Sequence, residues 1–304
     1  MPSVVVVGGL NMDLMVRVRR LPRPAETVLG QPYQAQPGGK GGNQAYAAAR
    51  LGAQVSLIGC VGDDAFGKAL VDALHAGGVD VSAVRVVMAS PTGIAMIAVD
   101  DEGQNQIVVS SGANAHLSAD EVEAALGSQR GGHLLLQLES PQDAVAAAAA
   151  CARQRGLTVI LDPAPAQPLS RGLLAHVDIL TPNEAEAATL LGRDGVSVSL
   201  EEAPGWAREI RGLGVGTVIL KIGSHGAIVA TARGETHHPA PAAQAIDTTA
   251  AGDTFNGALA VGLSEGLRLD DAVDFANAAA ALSVCRPGAQ ASMPSRAEVG
   301  RARS

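Results

Sequence analysis

The sequence predicts an α/β fold, a doubly wound and mainly parallel sheet carrying a small β-sheet lid. Short β-branched runs alternate with Ala-rich stretches, and two extended segments interrupt that alternation. The composition agrees: of 304 residues 47% are hydrophobic and 2% aromatic, so Val, Ile, Leu and Ala must fill a large core.

The first strand is Val4 to Val7, and the extended segment 14–36 follows it. A helix from Asn43 to Leu51 leads to a strand from Val55 to Gly59, then to a helix from Phe66 to Ala76. Segment 92–110 reads as a hairpin, with strands Ile94 to Val99 and Gln106 to Val109 around the turn residues Asp101, Glu102 and Gly103. The alternation then resumes. Strands are expected at Leu134 to Gln137, Thr158 to Asp162, Asp178 to Thr181 and Thr217 to Ile222. Helices are expected at Pro141 to Arg155 and Ala203 to Leu213, each ending near a glycine suited to a C-terminal cap. The Ala-rich run 144–150, with Val145 and Cys151 on one face, fits a core helix better than a low-complexity tract. Segments 14–36 and 92–110 are thus expected as insertions in one unit spanning 1–304, covering the strand ends where open α/β sheets bind ligands.

Charge and cysteine usage exclude several classes. A net charge of −8 with no basic run disfavours nucleic acid as a partner. Cys60, Cys151 and Cys285 are odd in number and far apart, which argues for a reducing compartment rather than a disulfide framework. The opening residues spell neither a signal peptide nor a membrane span, so a cytoplasmic location is expected. His237-His238 is expected in an exposed turn, since no ligand spacing accompanies it.

Phosphate chemistry is sought first in glycine-rich turns. Neither Gly39-Lys40 nor Gly67-Lys68 continues with Ser or Thr, which rules out a Walker A loop, and Gly212 to Gly216 reads as a helix-to-strand turn. The informative segment is Asp247 to Gly257, followed by the small-residue run Ala258 to Leu263. It places consecutive N–H groups at a helix start, and the small residues Ala250, Ala251 and Gly252 let an anion approach closely. Asp253 in that turn is either a helix cap or a base for phosphoryl transfer.

Asp247 to Gly257 resembles the signature of the ribokinase-like sugar kinases, the PfkB family, in which the aspartate of a Gly-Asp pair is the base. A second stretch, Gly38 to Ala45, is similar to the glycine-rich sugar-site motif seen particularly in ribokinases. The resemblance covers essentially the whole chain. It implies a three-layer α/β/α sandwich with a mainly parallel central sheet and a small β-sheet lid. It further implies ATP-dependent phosphorylation of D-ribose at O5, with Asp253 as base and an anion hole at Ala250, Ala251 and Gly252. Sugar contacts would come from Asn11, Met12, Asp13, Gly39, Lys40, Gly41, Gly42, Asn43 and Glu139, and nucleotide contacts from Asn183, Glu186, Lys221, Ile222, Gly223, Ser224, His225, Gly226 and Asn277. Mg²⁺ is implied near Asn183 and Glu186. K⁺ is implied at Asp247, Thr249, Ser283, Arg286, Gly288 and Ser292, and a homodimer through the lid. Lys221 stands where ribokinases often carry a smaller hydroxyl residue and Asn277 where several carry His; for Lys221, contact with phosphate and projection into solvent both remain open. Tyr33 is the aromatic residue in the lid segments available to stack a nucleoside base.

Overall fold

The computed structural model describes residues 3–302 except 128 and 130, so the outermost two residues at each end of the expected 1–304 unit lie outside it. The strands are β1 (Ser3–Val7), β2 (Asn11–Arg17), β3 (Gln34–Gly38), β4 (Gln54–Gly62), β5 (Val79–Val87), β6 (Gly93–Val99) and β7 (Asn105–Ser110), followed by β8 (His133–Leu136), β9 (Thr158–Leu161), β10 (Ile179–Leu180), β11 (Thr217–Lys221), β12 (Ala227–Thr231) and β13 (Gly234–His238). The helices are α1 (Lys40–Arg50), α2 (Ala65–Ala76), α3 (Ala119–Leu126), α4 (Gln142–Gln154), α5 (Arg171–Leu174), α6 (Glu184–Leu190), α7 (Ala203–Arg211), α8 (Ala251–Ser264), α9 (Leu269–Ser283) and α10 (Arg296–Ala302).

Nine strands form one sheet in the order β13-β12-β11-β10-β9-β8-β1-β4-β5. It is parallel from β5 to β11 and antiparallel across β11, β12 and β13. Because successive strand residues face opposite ways, Val5 and Val7 join one apolar cluster while Val4 and Val6 join the other. The first cluster holds the apolar faces of α3, α4 and α7, the second those of α1, α8 and α9. Burial on both faces explains why β1 is a run of valines with no polar alternation.

The second sheet has the order β3-β2-β6-β7, with β2 and β6 parallel and the outer pairs antiparallel. Both extended segments supply it, as expected, although β2 starts earlier than position 14, at Asn11. The hairpin turn is tied by Asp100 Oδ1, which accepts from the Glu102 and Gln104 N–H groups at 3.0 and 2.9 Å.

Four details depart from expectation. The helix placed at Asn43 begins at Lys40, so the glycine-rich stretch is a helix start and not a loop. The strand expected over 178–181 shrinks to Ile179–Leu180. β5, β12 and β13 had no clear signal. His237-His238 lies in β13 instead of a turn, and His238 is buried, with Nδ1 2.8 Å from Asp274 Oδ1. Antiparallel pairing with β12, the strand just before it, orders this segment, although its own residues, Gly234 to His238, have no apolar alternation to read.

Candidate active site

β1 lies between β4 and β8, where the strand order reverses, and a crevice opens at such a point beyond the carboxyl ends. The chain leaves β1 through Gly8-Gly9-Leu10 into β2, which carries Asn11 and Asp13 over that edge. The start of α1 packs on the same three residues. A Cβ on Gly39 would lie 2.5 Å from the Asn11 nitrogen, and one on Gly41 would lie 2.5 Å from the Gly8 carbonyl carbon. Gly39 also has φ 81°, in the left-handed region. These glycines therefore serve backbone-to-backbone packing. Gly41 and Gly42 are buried in α1, the Gly42 N–H donates to the Gly9 carbonyl at 3.1 Å and the Lys40 N–H to Glu139 Oε2 at 2.7 Å, while Gly39 lines the cleft above them.

A cleft of about 950 Å³ lies between the two sheets. Asn11, Asp13, Lys40, Asn43, Glu139 and Asp253 line one side of it, and Ala95, Ile97, Ile107 and Val109 of the small sheet line another. A second cleft, about 410 Å³, is lined by Lys221, Gly223, Ser224, Gly226, Gly252 and Asn277, with apolar walls from Pro241, Phe255 and Ala280. Thr248 borders both clefts, and Ala250 and Asp253 line the first while Ala251 and Gly252 line the second. The start of α8 is thus the partition between them.

Ala250 turns the chain at that start in a left-handed conformation, φ 57°. The first N–H groups of a helix have no partner within it, so this turn offers donors and the positive end of a dipole at the junction. Asp253, in the first turn, has one hydrogen bond on each oxygen: Asn43 Nδ2 donates to Oδ2 at 3.0 Å and Gln44 Nε2 to Oδ1 at 3.1 Å. The geometry is therefore not that of a simple cap, because the carboxylate is engaged by another helix.

Burial raises the pKa of Asp253, and Asp162 adds to it, against the opposing effects of Lys40, Asn43 and Gln44. Burial, reinforced by the charges of Glu139 and Asp253, pushes Asp13 up to about 7. Glu139 and Glu186 are raised too, chiefly by burial. Burial opposes the charge on Lys40, but Asp253, Asp162, Glu139 and Glu186 outweigh it and hold the ammonium above its ordinary value. The cleft floor therefore has one strongly held cation among several carboxylates.

Asn183 and Glu186 form a reciprocal capping box on α6, the Asn183 N–H donating to Glu186 Oε2 at 2.7 Å and the Glu186 N–H to Asn183 Oδ1 at 2.9 Å. Glu186 nonetheless lines the first cleft. Lys221 does not project into solvent; its Nζ donates to Asp162 Oδ1 at 2.8 Å. Asn277 Nδ2 donates to the His238 carbonyl at 2.9 Å, which commits the amide at the back of the second cleft. Six expected contacts line neither cleft: Gly41 and Gly42 are buried in α1, Asn183 caps α6, and the other three are Met12, Ile222 and His225. Met12 and Ile222 pack into the apolar clusters, and His225 offers its carbonyl to His237 Nε2 at 2.7 Å.

Of the expected cation positions, Asp247, Thr249 and Gly288 are brought together: Asp247 Oδ1 accepts from the Thr249 N–H and hydroxyl, and Oδ2 from the Gly288 N–H at 2.8 Å. The Ser283 and Ser292 hydroxyls donate to the carbonyls of Ala280 and Ala289. The Arg286 side chain turns away to Glu298.

Sequence reasoning missed Gln44, Asp162, Gln137 and Asn114. Gln44 Nε2 also donates to Asp162 Oδ2 at 2.9 Å, and its Oε1 accepts from Gln137 Nε2 at 2.7 Å. Asn114 donates to Asn11 Oδ1 at 2.8 Å and accepts from the Leu10 N–H at 2.9 Å. Asp162 and Gln137 had a readable signal, a polar residue closing an apolar strand at the ligand edge of the sheet. Asn114 had none, because its partners lie about a hundred residues away in the chain.

Comparison with known proteins agrees with this geometry. The pfkB family of carbohydrate kinases matches residues 1–296. A ribokinase of Haemophilus influenzae is 43% identical over 97% of this chain and 96% of its own length. One from Bacillus subtilis is 40% identical over 98% of each. Among solved structures, Thermotoga maritima ribokinase superposes with a TM-score of 0.88 at 36% identity, covering 100% of this chain and 99% of its own. Arabidopsis thaliana ribokinase complexed with ribose and ATP gives a TM-score of 0.88 at 36% identity, covering 99% and 98%. A match over nearly the full length, with two clefts meeting at the start of α8, leads to one conclusion: the chain belongs to the pfkB family of carbohydrate kinases.

Proposed function

We propose that this chain is an ATP-dependent ribose kinase that converts D-ribose and ATP to D-ribose 5-phosphate and ADP. The observation that carries the reading is the partition: Asp253 faces the first cleft from the same helix turn whose Gly252 lines the second. Ribose occupies the first cleft and ATP the second, so the sugar's primary hydroxyl and the γ-phosphoryl meet at the start of α8. Asp253 takes the hydroxyl proton as the oxygen attacks, and the N–H groups from Ala250 to Asp253 receive charge on the phosphoryl oxygens. Asn11, Asp13, Lys40, Asn43 and Glu139 supply mixed donors and acceptors for sugar hydroxyls, and the buried Ser140 hydroxyl lines the same cleft without a hydrogen-bond partner. β6 and β7 act as the lid that excludes water from the transfer.

Among the described residues the sugar cleft has no Phe, Tyr or Trp in its lining, and Tyr33 is 69% exposed outside it. That favours a free sugar over a nucleoside. Asn183 and Glu186, whose carboxylate oxygens keep lone pairs beyond the capping box, are the residues that would hold Mg²⁺ through water, and the bound ion would neutralise phosphate charge. The hydrogen-bonded frame of Asp247, Thr249 and Gly288 beside α8 suits a K⁺ held mostly by carbonyl oxygens, with Ser283, Arg286 and Ser292 contributing backbone. No helix is long and apolar enough to cross a membrane among the described residues. The free cysteines Cys60, Cys151 and Cys285 suit the reducing cytoplasm, and the exposed Ile107, Val108 and Val109 on the lid sheet suit a homodimer contact.

ADP release measured across a panel of pentoses, hexoses, deoxyribose and nucleosides tests the reading. Ribose is expected to give the highest kcat/KM; a nucleoside or ketose exceeding it by tenfold would overturn the substrate, and sugar binding with no turnover would overturn the kinase. K⁺ is expected to raise kcat above its value in Na⁺ at equal ionic strength, and equal rates would remove the cation site.

A further inference from the structure

Between the two clefts lies an ion pair that the reaction as described does not use. Lys221 Nζ donates to Asp162 Oδ1 at 2.8 Å, and the two side chains are 13% and 3% exposed. The pair is not isolated. Asp162 Oδ2 accepts from Gln44 Nε2, the same nitrogen that donates to Asp253 Oδ1. On the other side Lys221 lines the second cleft, and its Nζ is 3.5 Å from where a Cβ on Gly252 would stand, at the anion-binding start of α8. An ammonium has three donor hydrogens and a flexible stem, so a small rotation re-aims it from Asp162 to an oxyanion at that start. A polyphosphate carries more charge than one carboxylate and draws the ammonium to itself.

We infer that Asp162 is a positioning residue that holds Lys221 between the clefts until nucleotide phosphates take the ammonium over, leaving Asp162 joined to Asp253 through Gln44. The inference rests on reading the second cleft as the nucleotide site. It assigns Lys221 to phosphate rather than to the base, and it gives Asp162 and Gln44 a role that links nucleotide occupancy to the catalytic carboxylate. Because breaking the ion pair opposes nucleotide binding, the two partners have effects of opposite sign.

Calorimetric titration of Mg-ADP into the wild type, Asp162→Asn, Lys221→Met and the double variant reads this directly, with thermal melts reporting folding. Asp162→Asn keeps an acceptor for Gln44 and frees the lysine, so Mg-ADP is expected to bind about threefold or more tighter. Lys221→Met is expected to bind about tenfold or more weaker, the loss of one charge-assisted contact. The double variant buries no unpaired charge, so it folds even where Lys221→Met does not, and it is expected to bind as weakly as Lys221→Met. A purely structural ion pair predicts the reverse for the double variant, recovery of wild-type affinity. That recovery, an Asp162→Asn variant no tighter than wild type, or a Lys221→Met variant that binds as wild type does would each overturn the inference. A wild-type protein that binds no Mg-ADP would instead overturn the nucleotide reading beneath it.

Discussion

Asp253 accepts from two amides of neighbouring residues on α1, Asn43 and Gln44, and this pair of contacts aims its carboxylate. As the proposed base it works only when ionised, so activity is present above its pKa and lost as pH falls through it; the raised value puts that acid limb above the ordinary carboxylate range. Gln44→Leu removes a hydrogen bond that favours the ionised form, and the acid limb of kcat/KM is expected to move to higher pH. An unmoved limb would leave Gln44 a packing residue. Asp253→Asn is expected to lower kcat by about two orders of magnitude or more while ribose and Mg-ADP still bind in titrations. Asp253, Asn43 and Glu139 were legible because their motifs are local strings. Gln44 was in view within the same string, yet its role depends on Asp162, Gln137 and Asp253, residues about 93 to 209 positions away.

At the scale of elements, the site depends on how closely α8 lies against α1. A Cβ at Gly257 would stand 2.7 Å from the Ala47 Cβ and 3.0 Å from the Gln44 carbonyl oxygen, so the two helices are in contact through backbone. Overpacking of this kind commonly costs ~1–3 kcal/mol. Gly257→Val is therefore expected to lower Tm and, by wedging Asp253 away from Asn43 and Gln44, to lower kcat more than it raises either KM. A stability loss with kcat unchanged would show that the helix spacing does not aim the base. The helices themselves were legible from small-residue runs and glycine stops. The first turn of α1 was not, because its glycines read as a loop until the backbone of Gly8 and Gly9 is seen beneath them. The two-residue β10, the edge strand β13 and its neighbour β12 escaped for a related reason: they are specified by pairing, and pairing leaves little trace in a short window.

For the whole molecule, the alternation of apolar strands and Ala-rich helices was enough to read a doubly wound sheet, and the two extended segments were enough to read insertions over its strand ends. What they could not show is the strand order, which places the first segment beside the second through a parallel β2–β6 pair. β7 is one of the two edges of that sheet, with Ile107, Val108 and Val109 52%, 59% and 48% exposed. Edges of this kind invite pairing with another chain. If the proposed homodimer forms through this edge, Val108→Lys is expected to raise its dissociation constant in sedimentation experiments; a wild-type monomer or an unchanged constant would remove the lid edge from the account. The arrangement around α8 has one more effect, on which form of the nucleotide can enter. Asp253, Asp162, Glu139 and Glu186 act on Lys40, and Asp162 also pairs with Lys221, so acidic groups outnumber basic ones beside the proposed transfer point at the start of α8. A bare polyphosphate is repelled by that excess more than one already carrying a divalent counter-ion, so ATP alone is expected to bind more weakly than Mg-ATP in calorimetric titrations, and equal affinities would show that the excess charge does not select the form that enters.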